Sequence, residues 1–156
     1  MALTKAQQTT LRNALAAETN PTVVGALAIR NDVALTEWCN GLSATDAWIA
    51  YCDRKTMFEA MDVTKFDGLT AGKRDAWRVM MENGPLDFGR NKLRTAVQDI
   101  WGAQDSVLVL TNLREKATRA ENYIGGNVKT TNTVSGLDRV YVGGLSINEV
   151  SVALNG

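Results

Sequence analysis

The feature that most constrains the fold of this chain is a change of sequence pattern at Gly125-Gly126. Before that pair, apolar residues recur at helical spacing, and a paired glycine after such a run is typical of a helix end. After it, residues 127–156 contain ten β-branched positions in thirty and four charged ones. Because β-branched residues favour extended backbone, the pattern predicts a helical body over residues 1–126 and a β-rich C-terminal arm over residues 127–156.

Helix-start and helix-stop signals divide the body into six or seven short helices. Asn20 precedes Pro21, the arrangement preferred at helix starts, where an N-cap residue stands before proline. Thr70 is a further N-cap candidate, and Asn83-Gly84 ends the segment that it opens. The predicted helices run over about residues 5–17, 21–30, 32–40, 43–61, 71–82, 85–100 and 105–124. Short connections favour antiparallel neighbours, so we predict a mainly α fold, a compact helical bundle with an extended arm.

Helical spacing carries the prediction for two of these segments. The residues that recur on one face of the helix opened by Ser43 are Ala47, Tyr51, Arg54, Phe58 and Met61. The last helix has the most regular stripe in the chain, formed by Leu110, Leu113, Ala117, Ala120 and Ile124. The four tryptophans all fall in predicted helices and are expected to anchor the core: Trp38, Trp48, Trp77 and Trp101.

The C-terminal arm is expected to contain a hairpin. Residues 137–143 and 145–154 flank a glycine pair that suits a tight turn with positive φ. The second half has two interpretations, because Ser146 and Glu149 also match the capping box of a short helix. We favour a strand as far as Ile147, followed by a short terminal helix.

A two-stranded hairpin is not stable alone in water, so the arm needs a surface to lie on. It must pack on its own body or add to strands of a neighbouring chain, where backbone hydrogen bonds give affinity and alternate side chains fill pockets. The residues predicted to make these subunit or partner contacts are Val140, Tyr141, Val142, Leu145 and Ile147.

The chain contains no histidine, which narrows its chemistry. Ser-His-Asp and Cys-His triads, two-histidine zinc motifs and the usual general base near neutral pH are excluded. Cys39 and Cys52 are too few for a structural zinc site and are predicted to be reduced, buried thiols. We therefore predict a protein that is not an enzyme, with no catalytic residues, no metal and no cofactor.

Two patterns that look like sites have simpler explanations. Residues 68–73 suggest a phosphate loop, but the spacing is one residue short and Arg74 stands where a serine or threonine should hold magnesium. Thr70 as a helix N-cap accounts for the same residues. Three carboxylates are not accompanied by a second group of candidate catalytic residues and are predicted to be surface groups: Asp53, Glu59 and Asp62.

The charge balance gives no global attraction to nucleic acid, since 17 Lys and Arg residues face 17 Asp and Glu residues. Between Arg54 and Arg94, however, nine basic residues outnumber six acidic ones. A ring of subunits would add these charges together, so Arg54, Arg90 and Arg94 are candidates for lining a DNA passage. The simpler alternative is that these clusters are solvated helix faces.

Three stretches of the sequence suggest a family. They are DRKTMFEAMDVTKFDGLTAGKRDAWRVMMENGPLDFGRNKLRTAVQDIWG, then REKATRAENYIGG, then the terminal GGLSINEVSVALNG. A Lys-Ala/Thr-Arg-Ala-Glu stretch lies at residues 116–121, and a Leu-Ser-x-x-x-Val-x-x-Ala sequence lies at residues 145–153. Over most of residues 43–156 the chain resembles small structural proteins encoded among the head and neck genes of tailed bacteriophages.

The resemblance implies a head–tail adaptor, or connector, located in the neck of the virion and assembled in the host cytoplasm. Such proteins are helical, form a twelve-fold ring beneath the portal and extend C-terminal arms into their neighbours. The implied partners are copies of the chain itself, the portal protein and tail or neck proteins, with non-specific contact to packaged DNA. No membrane partner is expected, because the longest apolar run is far shorter than the about 20 residues of a spanning helix.

Alternatives remain open at this point. Within the virion, the chain could be a tail terminator or completion protein, or a capsid-bound accessory protein. A helical DNA-binding or regulatory protein is the main alternative of another class, and salt would weaken its binding steeply. A small enzyme using lysine or carboxylates is a second alternative, which would require a pocket with shifted pKa values.

Overall fold

A computed structural model of the chain describes residues 2–125, residue 139 and residues 143–156. As predicted, the fold is mainly α, with a small antiparallel sheet of two strands. The elements of the described residues are, in chain order, α1 (Lys5–Ala17), α2 (Pro21–Ala28), α3 (Asp32–Asn40), β1 (Leu42–Trp48), α4 (Arg54–Ala60), α5 (Val63–Asp67), α6 (Ala71–Glu82), α7 (Asn91–Thr111), β2 (Arg114–Thr118), α8 (Arg119–Ile124) and α9 (Ile147–Asn155). None of these helices has the length and apolar character needed to cross a membrane.

The described residues form two compact units, each with its own apolar core. The first unit comprises residues 2–44, 116–125 and 143–156. In it α1, α2, α3, α8 and α9 pack together. The buried residues of this first core are Leu3, Leu11, Leu15, Val23, Ala26, Leu35, Cys39, Ala120, Leu145, Val150 and Ala153.

The second unit comprises residues 45–115 and Arg139. Here α6 packs on α7, and α4 packs on both of them. The buried residues of this second core are Trp48, Cys52, Met57, Ala60, Phe66, Trp77, Met81, Phe88, Val97, Ile100, Trp101, Val109, Leu110 and Leu113. Trp77 and Trp101 meet edge to face with ring centroids 5.5 Å apart, an arrangement that aromatic quadrupoles favour.

Two capping signals of the sequence are confirmed, whereas the helix starts predicted at residues 85 and 105 are wrong, because α7 runs from Asn91 to Thr111. The side chain of Asn20 accepts a hydrogen bond from the amide of Thr22, and Pro21 occupies the first helical position of α2. Thr70 likewise caps α6 by accepting from the amide of Lys73. Each of these two bonds joins residues two or three positions apart, so the local sequence is enough to predict it.

The helix predicted over residues 43–61 is wrong in its first half. Residues Leu42–Trp48 form β1, and the helix begins only at Arg54, after the N-cap Asp53. The strand is held by pairing with β2, and Ser43 donates a side-chain hydrogen bond to the carbonyl of Ala117. That partner is 74 residues away, so the local spacing could not reveal it.

The helix predicted over residues 105–124 is wrong in its middle. It consists of the end of α7, then β2, then α8, which restarts at its N-cap Thr118. The predicted burial is nevertheless confirmed for Leu113 and Ala120, which are fully buried. Leu113 belongs to the second core and Ala120 to the first, because the chain passes from one unit to the other within β2.

The C-terminal residues fold differently from the predicted β-rich arm. The terminal helix and its capping box are confirmed, since Ser146 and Glu149 exchange both hydrogen bonds at the start of α9. Residues 143–156, however, belong to the first unit, where α9 packs on α1 and α3. The amide and carbonyl of Leu145 are both bonded to the side chain of Asn40. This part of the tail therefore finds its partners within its own chain, and the predicted 1–126 and 127–156 division differs from the observed one.

Gly102 interrupts α7 with φ of 83° and ψ of 167°, a conformation that is almost restricted to glycine. We expect Gly102→Ala to lower the free energy of unfolding by about 1–3 kcal/mol. Gly72 in α6 is the matched control, because a Cβ there meets nothing within 4 Å and its φ is ordinary. Gly72→Ala should raise the free energy of unfolding by about 0.4–1 kcal/mol, as judged by urea titration. Equal effects of the two substitutions would contradict the observed backbone at Gly102.

Candidate functional site

The second unit carries a solvent-accessible groove of about 560 Å³ beside α4, α5 and α6. Its lining consists of Arg54, Lys55, Phe58, Met61, Phe66, Arg78, Met81 and Glu82. We call this set the α4–α6 groove. Its volume lies within the about 300–1,000 Å³ typical of small-molecule sites.

Apolar side chains form the floor of the α4–α6 groove. Phe66 and Met81 belong to the second core, and Met61 packs against that core while remaining partly exposed. Phe58 points outward, with 53% of its surface exposed. A phenylalanine that is half exposed beside two methionines is an adaptable apolar surface of the kind used for protein recognition.

Three cations and one carboxylate form the rim of the α4–α6 groove. The Arg78 guanidinium lies 5.5 Å from the centroid of the Phe66 ring and pairs with Asp75 at 3.3 Å. Lys55 approaches Glu59 at 3.9 Å, and both of these side chains are largely exposed. Exposed pairs of this kind contribute at most about 1 kcal/mol, so a partner's carboxylate could replace either acid.

Of the three arginines predicted to line a DNA passage, Arg94 was assigned wrongly. It is fully buried and donates to the carbonyls of Phe88 and Gly89. Its guanidinium lies 5.2 Å from the centroid of the Trp48 ring, with Arg114 at 5.1 Å from the same ring. A buried arginine bonded to backbone carbonyls holds the fold together and cannot face DNA.

The other two arginines are exposed. Arg54 lies on the rim of the α4–α6 groove, and none of the ion pairs described for residues 2–125 involves it. Arg90 approaches Asp87 at 3.7 Å, with 68% of its side chain exposed. The predicted DNA passage therefore rests on Arg54 and Arg90 alone.

The predicted interface residues divide into three groups. Val140, Tyr141 and Val142 lie outside the described residues. Leu145 is 6% exposed and packs in the first core, which leaves its side chain unavailable to a neighbouring chain. Ile147 is 49% exposed at the start of α9, so a partner contact there stays a prediction.

Arg139, which directly precedes Val140 in the sequence, is buried in the second unit. Its amide donates to the carbonyl of Gly89 at 2.7 Å, and its guanidinium bonds the carbonyl of Trp48 and the carboxylate of Glu115. A Cβ on Gly89 would lie 2.8 Å from the Cβ of Arg139, which explains why glycine stands there. The sequence gives no signal for this role of Arg139, because its partners are far away along the chain.

The carboxylates set aside in the sequence analysis serve as local helix contacts. Asp53 and Asp62 cap α4 and α5, and Glu59 pairs with Lys55. The hydrogen bonds from Thr56 hold the pKa of Asp53 below its usual value. No group of three or more His, Cys, Asp or Glu side chains among the described residues could hold a metal ion.

Both cysteines are buried and free, and burial raises the pKa of Cys39 to about 11 and that of Cys52 to about 12. The thiolate is the reactive form, so a raised pKa leaves almost none of it at pH 8. We expect neither cysteine to be alkylated by iodoacetamide at pH 8 in the native protein, and both to react in guanidinium chloride. Intact-mass spectrometry distinguishes the two states, and rapid native alkylation at either residue would contradict its burial.

Comparison of the chain with protein-family models, with curated proteins and with solved structures finds no match.

The sequence contained a partial signal for the burial of Arg94 and another for the position of Arg54 in the groove. Arg94 stands three residues before Val97 and seven before Trp101, on the buried face of α7, so its spacing indicated burial although its charge did not. Arg54 and Phe58 were placed on one helical face, which is half of the groove. The other half comes from α6, and only the packing of α4 on α6 brings the two halves together.

Proposed function

We propose that this chain is a structural virion protein of a tailed bacteriophage, a head–tail adaptor that forms a ring between the portal and the tail. The proposal rests on the resemblance of residues 43–156 to head and neck proteins, together with one structural observation. That observation is the α4–α6 groove, where Phe58 and Met61 are exposed to solvent beside a basic rim. Exposed apolar surface rimmed by polar groups is typical of a protein-binding site.

A closed ring needs two different surfaces on each subunit, one fitting the other on the next copy. The first unit supplies candidates, since it exposes the large apolar side chains Val24, Ile29, Val33, Leu42 and Ile147. Residues 143–156 are engaged within their own unit, so we assign partner binding to these exposed side chains and to the α4–α6 groove rather than to the buried face of α9.

The test is the composition of purified particles of the phage that encodes the chain. Quantitative mass spectrometry should find about twelve copies per particle, and immunogold labelling should place them at the neck. A copy number close to that of the major capsid protein would overturn the adaptor role in favour of a capsid-bound accessory protein. Absence from particles that carry all their other structural proteins would overturn the proposal as a whole.

A further inference from the structure

We propose that the α4–α6 groove is a docking site for a carboxylate-rich amphipathic segment of another protein. The segment would place one or two large apolar side chains on the floor and its carboxylates against Arg54, Lys55 and Arg78. The inference deepens the proposed function and rests on it only in taking the partner to be another virion protein.

The floor determines that the occupant must carry apolar side chains. Phe58, Met61, Phe66 and Met81 present an apolar surface, with Phe58 more than half exposed. Covering such a side chain removes its apolar surface from water, and this burial is the main source of affinity at a groove of this kind. Two helices, α4 and α6, flank the floor, as in grooves that receive an amphipathic helix.

The rim determines the charge of the occupant. Among the described side chains that line the groove, Arg54, Lys55 and Arg78 are cations and Glu82 is an anion. Glu59 and Asp75 offset two of the cations from outside the lining, but through exposed contacts of 3.9 Å and 3.3 Å. A partner with several carboxylates can exchange for these weak pairs, whereas a basic segment would meet repulsion from Arg54, which none of the described ion pairs involves.

A nucleic acid fits the groove less well than an acidic segment does. Phosphates would satisfy the three cations, and one base could stack on Phe58. Met61, the other partly exposed apolar side chain of the lining, would then be left without an apolar partner, whereas Phe66 and Met81 are already packed in the second core. The lining therefore favours an occupant whose apolar side chains alternate with carboxylates.

The test is direct binding of a fluorescein-labelled peptide, EEDLWEELFEED, measured by fluorescence anisotropy with the full-length chain. We expect saturable binding that Arg54→Glu and Phe58→Ser each weaken by at least about tenfold, equivalent to about 1.4 kcal/mol. Glu82→Gln should tighten binding, because it removes the carboxylate from the rim. All three substituted side chains are exposed, and circular dichroism checks that the variants fold as the unsubstituted chain does.

Matched controls lie on α6 outside the groove. Lys73→Glu changes the net charge as Arg54→Glu does, and Val79→Ser removes an apolar side chain that is 55% exposed, compared with 53% for Phe58. Each control should alter the dissociation constant by less than about twofold, or 0.4 kcal/mol. A peptide with serine in place of Leu, Trp and Phe should bind at least about tenfold more weakly, if apolar contacts carry the affinity.

Three outcomes would overturn the docking site. They are absence of peptide binding, equal loss in the groove variants and in their controls, and equal binding of the serine peptide. A fourth is preferential binding of a single-stranded oligonucleotide that the same groove variants abolish, which would assign the groove to nucleic acid. The peptide assay does not depend on virions, so a chain absent from particles can still bind the peptide, and a chain present in particles can fail to do so.

Discussion

Replacing Trp48 with alanine is expected to lower the free energy of unfolding by about 3–5 kcal/mol, the loss typical of a large aromatic side chain removed from a core. Trp48 is fully buried in the second core. The guanidinium groups of Arg94 and Arg114 also lie over its ring, at 5.2 Å and 5.1 Å from the ring centroid. The substitution therefore leaves a cavity and takes away the aromatic surface on which the buried Arg94 rests.

The measurement is urea unfolding followed by far-ultraviolet circular dichroism. Tyr51→Ala is the matched control, because Tyr51 is an aromatic residue only three positions away that is 74% exposed. Its loss should change the free energy of unfolding by less than about 0.5 kcal/mol. A loss below about 1 kcal/mol for Trp48→Ala would place this side chain outside any packed core.

The second large effect concerns the C-terminal helix. Val150→Asp places a carboxylate among the apolar side chains of the first core, where Val150 is fully buried. An uncompensated buried charge costs about 3–5 kcal/mol, so the first unit should be strongly destabilised in the isolated chain. Val152→Asp makes the same change in the same helix at a residue that is 43% exposed, and it should cost far less.

Hydrogen–deuterium exchange measured by mass spectrometry gives the result by region. Packing of α9 on α1 and α3 predicts that Val150→Asp speeds exchange in both of those helices, whereas Val152→Asp does not. An arm that finds its partners only on neighbouring chains predicts unchanged exchange in α1 and α3. The latter result would restore the predicted arm that binds neighbouring chains.

The candidate site could be predicted from the sequence only in part. Arg54, Phe58 and Met61 were recognised as one face, and they do line one groove. The sequence could not assign the other side of the groove, because α4 and α6 meet through tertiary packing. It also placed Arg94 with Arg54, although the structure buries Arg94 against the Trp48 ring and exposes Arg54.

The helix predictions over residues 43–61 and 105–124 failed in part for a similar reason. The stripe from Leu110 to Ile124 has helical spacing, and Leu110, Leu113 and Ala120 are all buried. Burial is nevertheless satisfied with a strand in the middle, because β1 supplies hydrogen-bond partners to β2. Apolar spacing records which side chains are buried, and it does not record whether a distant strand is present to pair.

The sequence by itself determined where several helices begin, since Asn20, Thr70 and Ser146 cap α2, α6 and α9 through bonds to residues two or three positions away. It also determined the mainly helical class. Only the tertiary structure decided that β1 pairs with β2, that the apolar residues divide between two cores, and that α9 packs on α1 and α3. The physical reason is the range of the contacts. A cap closes within one helical turn, whereas strand pairing and core packing join residues tens of positions apart, whose meeting depends on the whole chain.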